Sequence, residues 1–302
     1  MTIKKQLQQI ANTLIVYSYH IPNMGLINGK MGIAFYLYHY ARYADDPIYS
    51  DFADDLIDEI LAAMIRLPVD FENGVIGIAW GVNFLMKNKF VDGDPNDIFS
   101  NIDTKLFVNV KNNPQCSLFG YGLYYLLRRD NVDLSNQAEL LLEYFLRQLS
   151  GYKGVLSLYY LNSIFYFLMK VEERKQYGQT VQLKKMLPDI LEKTVKYGNY
   201  DNVDVLVFND ILQSVDVERR KTWNRISYLK NDKIVHSTQD PVCFFIKKTL
   251  LYMLYLDDKK IIIPESNQID RFISQKMNSL QIPDFLYLQG LVGLGTGLLR
   301  CL

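Results

Sequence analysis

The side chains able to hold a metal or act as nucleophiles are few: Cys116, Cys243, Cys301, His20, His39 and His236. His236 and Cys243 lie seven residues apart with Pro241 between them, a spacing that fits one loop. Zinc sites announce themselves by paired ligands at short, regular spacing, and no such pair is present. His39 falls in an aromatic run and reads as a satisfied buried histidine. Cys116 and Cys243 border apolar runs and read as small hydrophobes; His20 and His236 read as exposed. Acid–base chemistry would fall to Asp70 and Glu72, with Asp94 following in a loop. Two carboxylates on opposite sides of a sugar hydrolyse a glycosidic bond, but acidic residues beside a helix start more simply favour its positive end. Spacing alone nominates no acid–base pair, no metal ligand and no cofactor.

The elements that must position these residues are set by a repeat. Asn28-Gly29-Lys30-Met31-Gly32-Ile33-Ala34-Phe35 is echoed 45 residues later by Asn73-Gly74-Val75-Ile76-Gly77-Ile78-Ala79-Trp80. Looser copies follow at Gly120-Tyr121-Gly122, at Gly151-Tyr152-Lys153-Gly154 and at Gly290-Leu291-Val292-Gly293-Leu294-Gly295. Gly32 to Gly293 spans 261 residues, six intervals of about 43.5, the period of a helix pair. Two further units are expected near Asp204–Leu212 and Asp240–Leu251, giving six or seven in all. Glycine at the start of a buried helix lets backbones approach closely. The accompanying helix N-termini would also favour an anion, although tight packing explains the glycines by itself.

The pattern between the motifs is helical. Phe52, Leu56, Ile60 and Met64 recur at four-residue spacing opposite Asp51, Asp55, Asp58 and Glu59, which predicts an amphipathic helix behind the Asp46-Pro47 start signal. Ile33 to Tyr40 is apolar or aromatic nearly all round, as suits a helix enclosed by others. The alternation repeats: Leu123–Leu127 and Leu156–Met169 are apolar, Gln137–Leu149 and Val181–Val195 amphipathic, with Pro188 expected to kink or split the last. Each unit therefore reads as one buried and one outer helix, in a single domain spanning residues 1–302. The 22 tyrosines, clustered at Tyr36, Tyr38, Tyr40, Tyr124, Tyr125, Tyr159 and Tyr160, suit an aromatic core better than a ligand-gripping cavity. Val203–Lys233 carries the weakest repeat signal.

Composition excludes some functions. Lys+Arg and Asp+Glu are equal at 33 each, which lacks the electrostatic footprint of a nucleic-acid binder. Three sparse cysteines suit a reducing compartment. No run of 18 apolar residues suggests a membrane span, and Lys4-Lys5 leads into a segment too polar for a signal peptide. A cytoplasmic location is the expectation.

The segments Gly25–Ile33, Glu72–Gly81 and Gly290–Leu299 resemble the lanthionine synthetase C-like family, the cyclases of lanthipeptide biosynthesis and their relatives. The resemblance covers roughly the first 130 residues and the last 15. It implies an all-α fold, an α/α toroid of six or seven helical hairpins with an inner ring inside an outer one, and a bacterial role in modifying or handling a ribosomal peptide. It makes Asn28, Gly29, Gly32, Asn73, Gly74, Gly77, Trp80 and Gly293 the motif and cavity candidates. The implied partner is a precursor peptide or a biosynthetic partner enzyme. Family cyclases hold zinc through Trp-Cys-x-Gly and Cys-His-Gly motifs, leaving one position for the thiolate of the peptide. Here Trp80 is followed by Gly81 and Trp223 by Asn224, no Cys-His pair exists, and Asn28 and Asn73 stand where the family commonly has histidine before glycine. The expectation is a zinc-less peptide- or partner-binding member. Other chemistry on the same scaffold, such as carbohydrate hydrolysis, is the alternative.

Overall fold

The computed structural model describes residues 2–112, 118–129, 137–152, 154–175, 177–197, 200–214, 240–256, 259–288 and 290–302. Cys116, Pro114, Lys153, Trp223, His236 and the basic run at 219–221 lie outside these, as does most of the weak-signal stretch 203–233. Every regular element among the described residues is helical, and none is a strand. In chain order they are α1 (Ile3–Ser18), α2 (Lys30–Ala44), α3 (Ile48–Ala63), α4 (Val75–Lys87), α5 (Pro95–Asn112), α6 (Leu118–Arg128) and α7 (Gln137–Gly151). Then come α8 (Leu158–Glu172), α9 (Gly178–Tyr197), α10 (Asn202–Ser214), α11 (Pro241–Tyr255), α12 (Ser266–Ser279), α13 (Ile282–Phe285) and α14 (Leu291–Arg300). No helix among the described residues is long and apolar enough to cross a membrane.

The chain forms two compact units, Met1–Phe99 with Thr238–Met253 and Asp257–Leu302, and Ser100–Ser237 with Leu254–Leu256. In the first, α2 is the hub, packing on α1, α3, α4 and α14, while α14 also packs on α1. The two ends of the chain are therefore neighbours. The alternation of buried and amphipathic helices explains the pairing. From Lys30 to Tyr38 every residue of α2 is buried, whereas α3 buries Tyr49, Ala53, Leu56 and Ile60 and exposes its acidic face. Lys30 makes the join specific: its buried Nζ donates to both carboxylate oxygens of Glu59 on α3, at 2.5 and 2.6 Å.

In the second unit α8 packs on α6, α9 and α10, and α7 packs on α6 and α9. α8 buries ten of its 15 residues, including Phe165 and Phe167. A buried ion pair ties α5 to α6. Arg128 donates from Nη2 to Asp103 Oδ2 at 2.9 Å and from Nε to Oδ1 at 3.3 Å, and the Tyr124 hydroxyl donates to the same Oδ1. Burying a carboxylate is costly unless a cation and hydrogen bonds compensate it; here both are supplied from one face of α6.

Two helix boundaries differ from the expectation in detail. α9 runs unbroken through Pro188, which does not split it. Interior proline costs about 3 kcal/mol, and burial of Leu183, Leu187 and Leu191 on the flanks of Pro188 offsets that loss. α3 starts one residue after Pro47 rather than with it, because Pro47 itself is the N-cap; Asp46 stands one place before it, its Oδ1 accepting from Ile48 N at 3.2 Å.

Candidate functional site

The repeated motif has one geometry where it opens α2, α4 and α14. Gly29, Gly74 and Gly290 are the N-cap residues of α2, α4 and α14, all with extended backbone and none with a side-chain cap. Gly32, Gly77 and Gly293 are each the third residue of their helix, in α2, α4 and α14; Gly120 holds the same place in α6 but departs from them with a φ of +105°. The reason for glycine is close approach. A Cβ on Gly29, Gly74 or Gly290 would lie within 3.0 Å of the carbonyl oxygen six residues earlier, that of Asn23, Pro68 or Asp284. The same holds for Gly32, Gly77 and Gly293 against Leu26, Phe71 and Tyr287. A loop folded back this tightly bonds its own helix: Lys30 N donates to Asn23 O at 2.9 Å, and Val75 N to Pro68 O at 3.0 Å. The copy at Gly151–Gly154 departs from this pattern. Gly151 ends α7, and Gly154 lies in the lead-in to α8 rather than inside it.

The three loops lie edge to edge. Tyr287 N donates to Ile27 O at 3.0 Å, Ile27 N to Glu72 O at 3.0 Å, and Asn28 N to the same Glu72 oxygen at 3.3 Å. Side chains continue the seam. Asn73 Oδ1 accepts from Asn23 Nδ2 and from Asn28 Nδ2, both at 3.0 Å. Asn23 Oδ1 in turn accepts from Gly25 N at 2.7 Å, and Asp70 Oδ1 from Asn73 N at 2.6 Å. An amide oxygen has two lone pairs, so Asn73 spends both on asparagines of the neighbouring loop. Asn28 and Asn73, 45 residues apart, are thus brought into direct contact. Asn23, which completes the set, was not visible in the sequence. Its counterpart in the second repeat is Pro68, and no motif residue marks it.

This cluster consists of neutral amides with one acid of altered character. Glu72 is half-buried, and burial, reinforced by the nearby Asp70 carboxylate, raises its pKa. Asp70 is a loop brace through its bond to Asn73 N. Trp80 is buried in an aromatic stack, 5.4 Å from the Phe84 ring and 6.1 Å from that of Phe35.

The remaining chemical candidates are dispersed. His39 sits against the rings of Phe35, Phe84 and Phe90, its Nδ1 2.7 Å from Phe35 O. Burial pulls its pKa down to about 4, so it is a neutral core residue at physiological pH. His20 is exposed. Cys243 and Cys301 are half-buried, and burial pushes both thiols up, away from the thiolate that metal binding or nucleophilic attack requires. Among the described residues no three His, Cys, Asp or Glu side chains are grouped to hold a metal. The tyrosines divide: Tyr36, Tyr38, Tyr40, Tyr124 and Tyr125 are buried, Tyr159 and Tyr160 half-buried. Several anchor neighbouring helices, as Tyr36 does by donating to Leu7 O at 2.8 Å.

Comparison of the chain with protein-family models, with curated proteins and with solved structures gives no match in any of the three.

Proposed function

We propose that this chain is a divergent, zinc-less relative of the lanthionine synthetase C-like proteins that binds a peptide or a biosynthetic partner enzyme rather than cyclising a substrate. The observation that carries the reading is the bond between Asn28 and Asn73. The glycines stand in the geometry that leads into an apolar helix, while the positions before Gly29 and Gly74, where the family commonly has histidine, hold Asn28 and Asn73. Those amides bond each other across adjacent loops. Neutral amides engaged with one another supply neither a thiolate ligand nor a nucleophile. Closure of the helix pairs into a toroid belongs to this proposal. It is favoured by the last repeat lying beside the first, with α14 against α1 and α2 and Tyr287 bonded to Ile27.

The test is titration of the purified chain with a fluorescently labelled precursor peptide encoded beside its gene. Saturable binding with no loss of the peptide's free thiols supports the reading. Thiol consumption on a dehydrated peptide overturns it, as does the absence of binding both to that peptide and to the enzyme that dehydrates it.

Carbohydrate hydrolysis has one observation in its favour, the raised pKa of Glu72, which suits a general acid. Its natural partner, Asp70, is committed to the loop. Release of reducing sugar by the wild-type chain and its loss in Glu72→Gln would favour this second reading.

A further inference from the structure

We draw no further inference here: the strongest candidate, the buried polar cluster of Asn162, Asp204 and Tyr255 formed by α8, α10 and the end of α11, has its acidic side engaged in the Asp201–Asp204 cap of α10, and nothing in the structure shows what ligand its Asn162 and Tyr255 oxygens would take.

Discussion

Asn73 Oδ1 accepts from Asn28 Nδ2 at 3.0 Å, joining equivalent positions of two successive repeats. Because the same oxygen also accepts from Asn23, Asn73 is the hub and the other two are spokes.

That asymmetry is measurable. Replacing Asn73 by Ala removes the acceptor of two part-buried donors, and a cost of about 1–3 kcal/mol is expected. Asn28→Ala leaves the Asn23 bond intact and should cost less. Denaturant melts of both single variants and the double variant give the coupling; strict additivity would mean that the bond contributes nothing.

The glycine geometry predicts opposite signs at different glycines. A Cβ on Gly77 collides with the Phe71 carbonyl, and one on Gly293 with Tyr287 O and with Ile246. Backbone atoms cannot yield as a flexible side chain can, so Gly77→Ala and Gly293→Ala should each destabilise by about 3 kcal/mol or more. Gly178, in the first turn of α9, has nothing within 4 Å of its added Cβ. There alanine should stabilise, by up to about 1 kcal/mol. Thermal melts of the three variants check the contrast.

His39 gives the fold an acid-sensitive point. Its native pKa is depressed from 6.5 to about 4 by burial, with the Arg42 charge acting in the same direction against the bond to Phe35 O. Above pH 6.5 neither state binds the proton and the group contributes no pH dependence. Below it the unfolded chain takes up the proton and the native chain does not, so stability falls between about pH 6.5 and 4. The full shift corresponds to a loss on the order of 3 kcal/mol, an upper value because part of the residue meets solvent. Stability measured from pH 7 to pH 5 should slope downward with acid, and His39→Phe should flatten that slope.

The Asp103–Arg128 pair predicts an asymmetry between breaking and replacing. Asp103→Leu deprives a buried guanidinium of its carboxylate and should cost about 3–5 kcal/mol. Adding Arg128→Met removes the charge left behind and should recover much of that loss. A double variant as unstable as the single one would show that the carboxylate is not what holds Arg128.

The helices and the glycine frame were legible because both follow from local rules. Apolar spacing around a helix reports which face is buried, so the enclosed Ile33–Tyr40 and the one-sided stripe Phe52, Leu56, Ile60 and Met64 were readable as α2 and α3, although Met64 lies one residue past the end of α3. Glycine at a fixed offset reports a close backbone approach. What was not legible depends on distant partners. Nothing around Asn23 marks it, because its role arises only when the first two loops meet. Nothing near Lys30 in sequence shows that it is buried, because Glu59, its partner, lies on the next helix. Pro188 reads as a kink or a split because the local cost is visible in sequence while the compensating burial of Leu183, Leu187 and Leu191 is not. The half-buried state of Glu72 likewise comes from packing between loops rather than from its spacing to Asp70.

Metal content tests the proposed role most directly. The full chain, produced in zinc-supplemented medium and dialysed without chelator, should carry only substoichiometric zinc, and its melting temperature should be unchanged by subsequent chelation. One zinc per chain that survives dialysis, with a melting temperature that falls when it is stripped, would contradict a zinc-less binding protein.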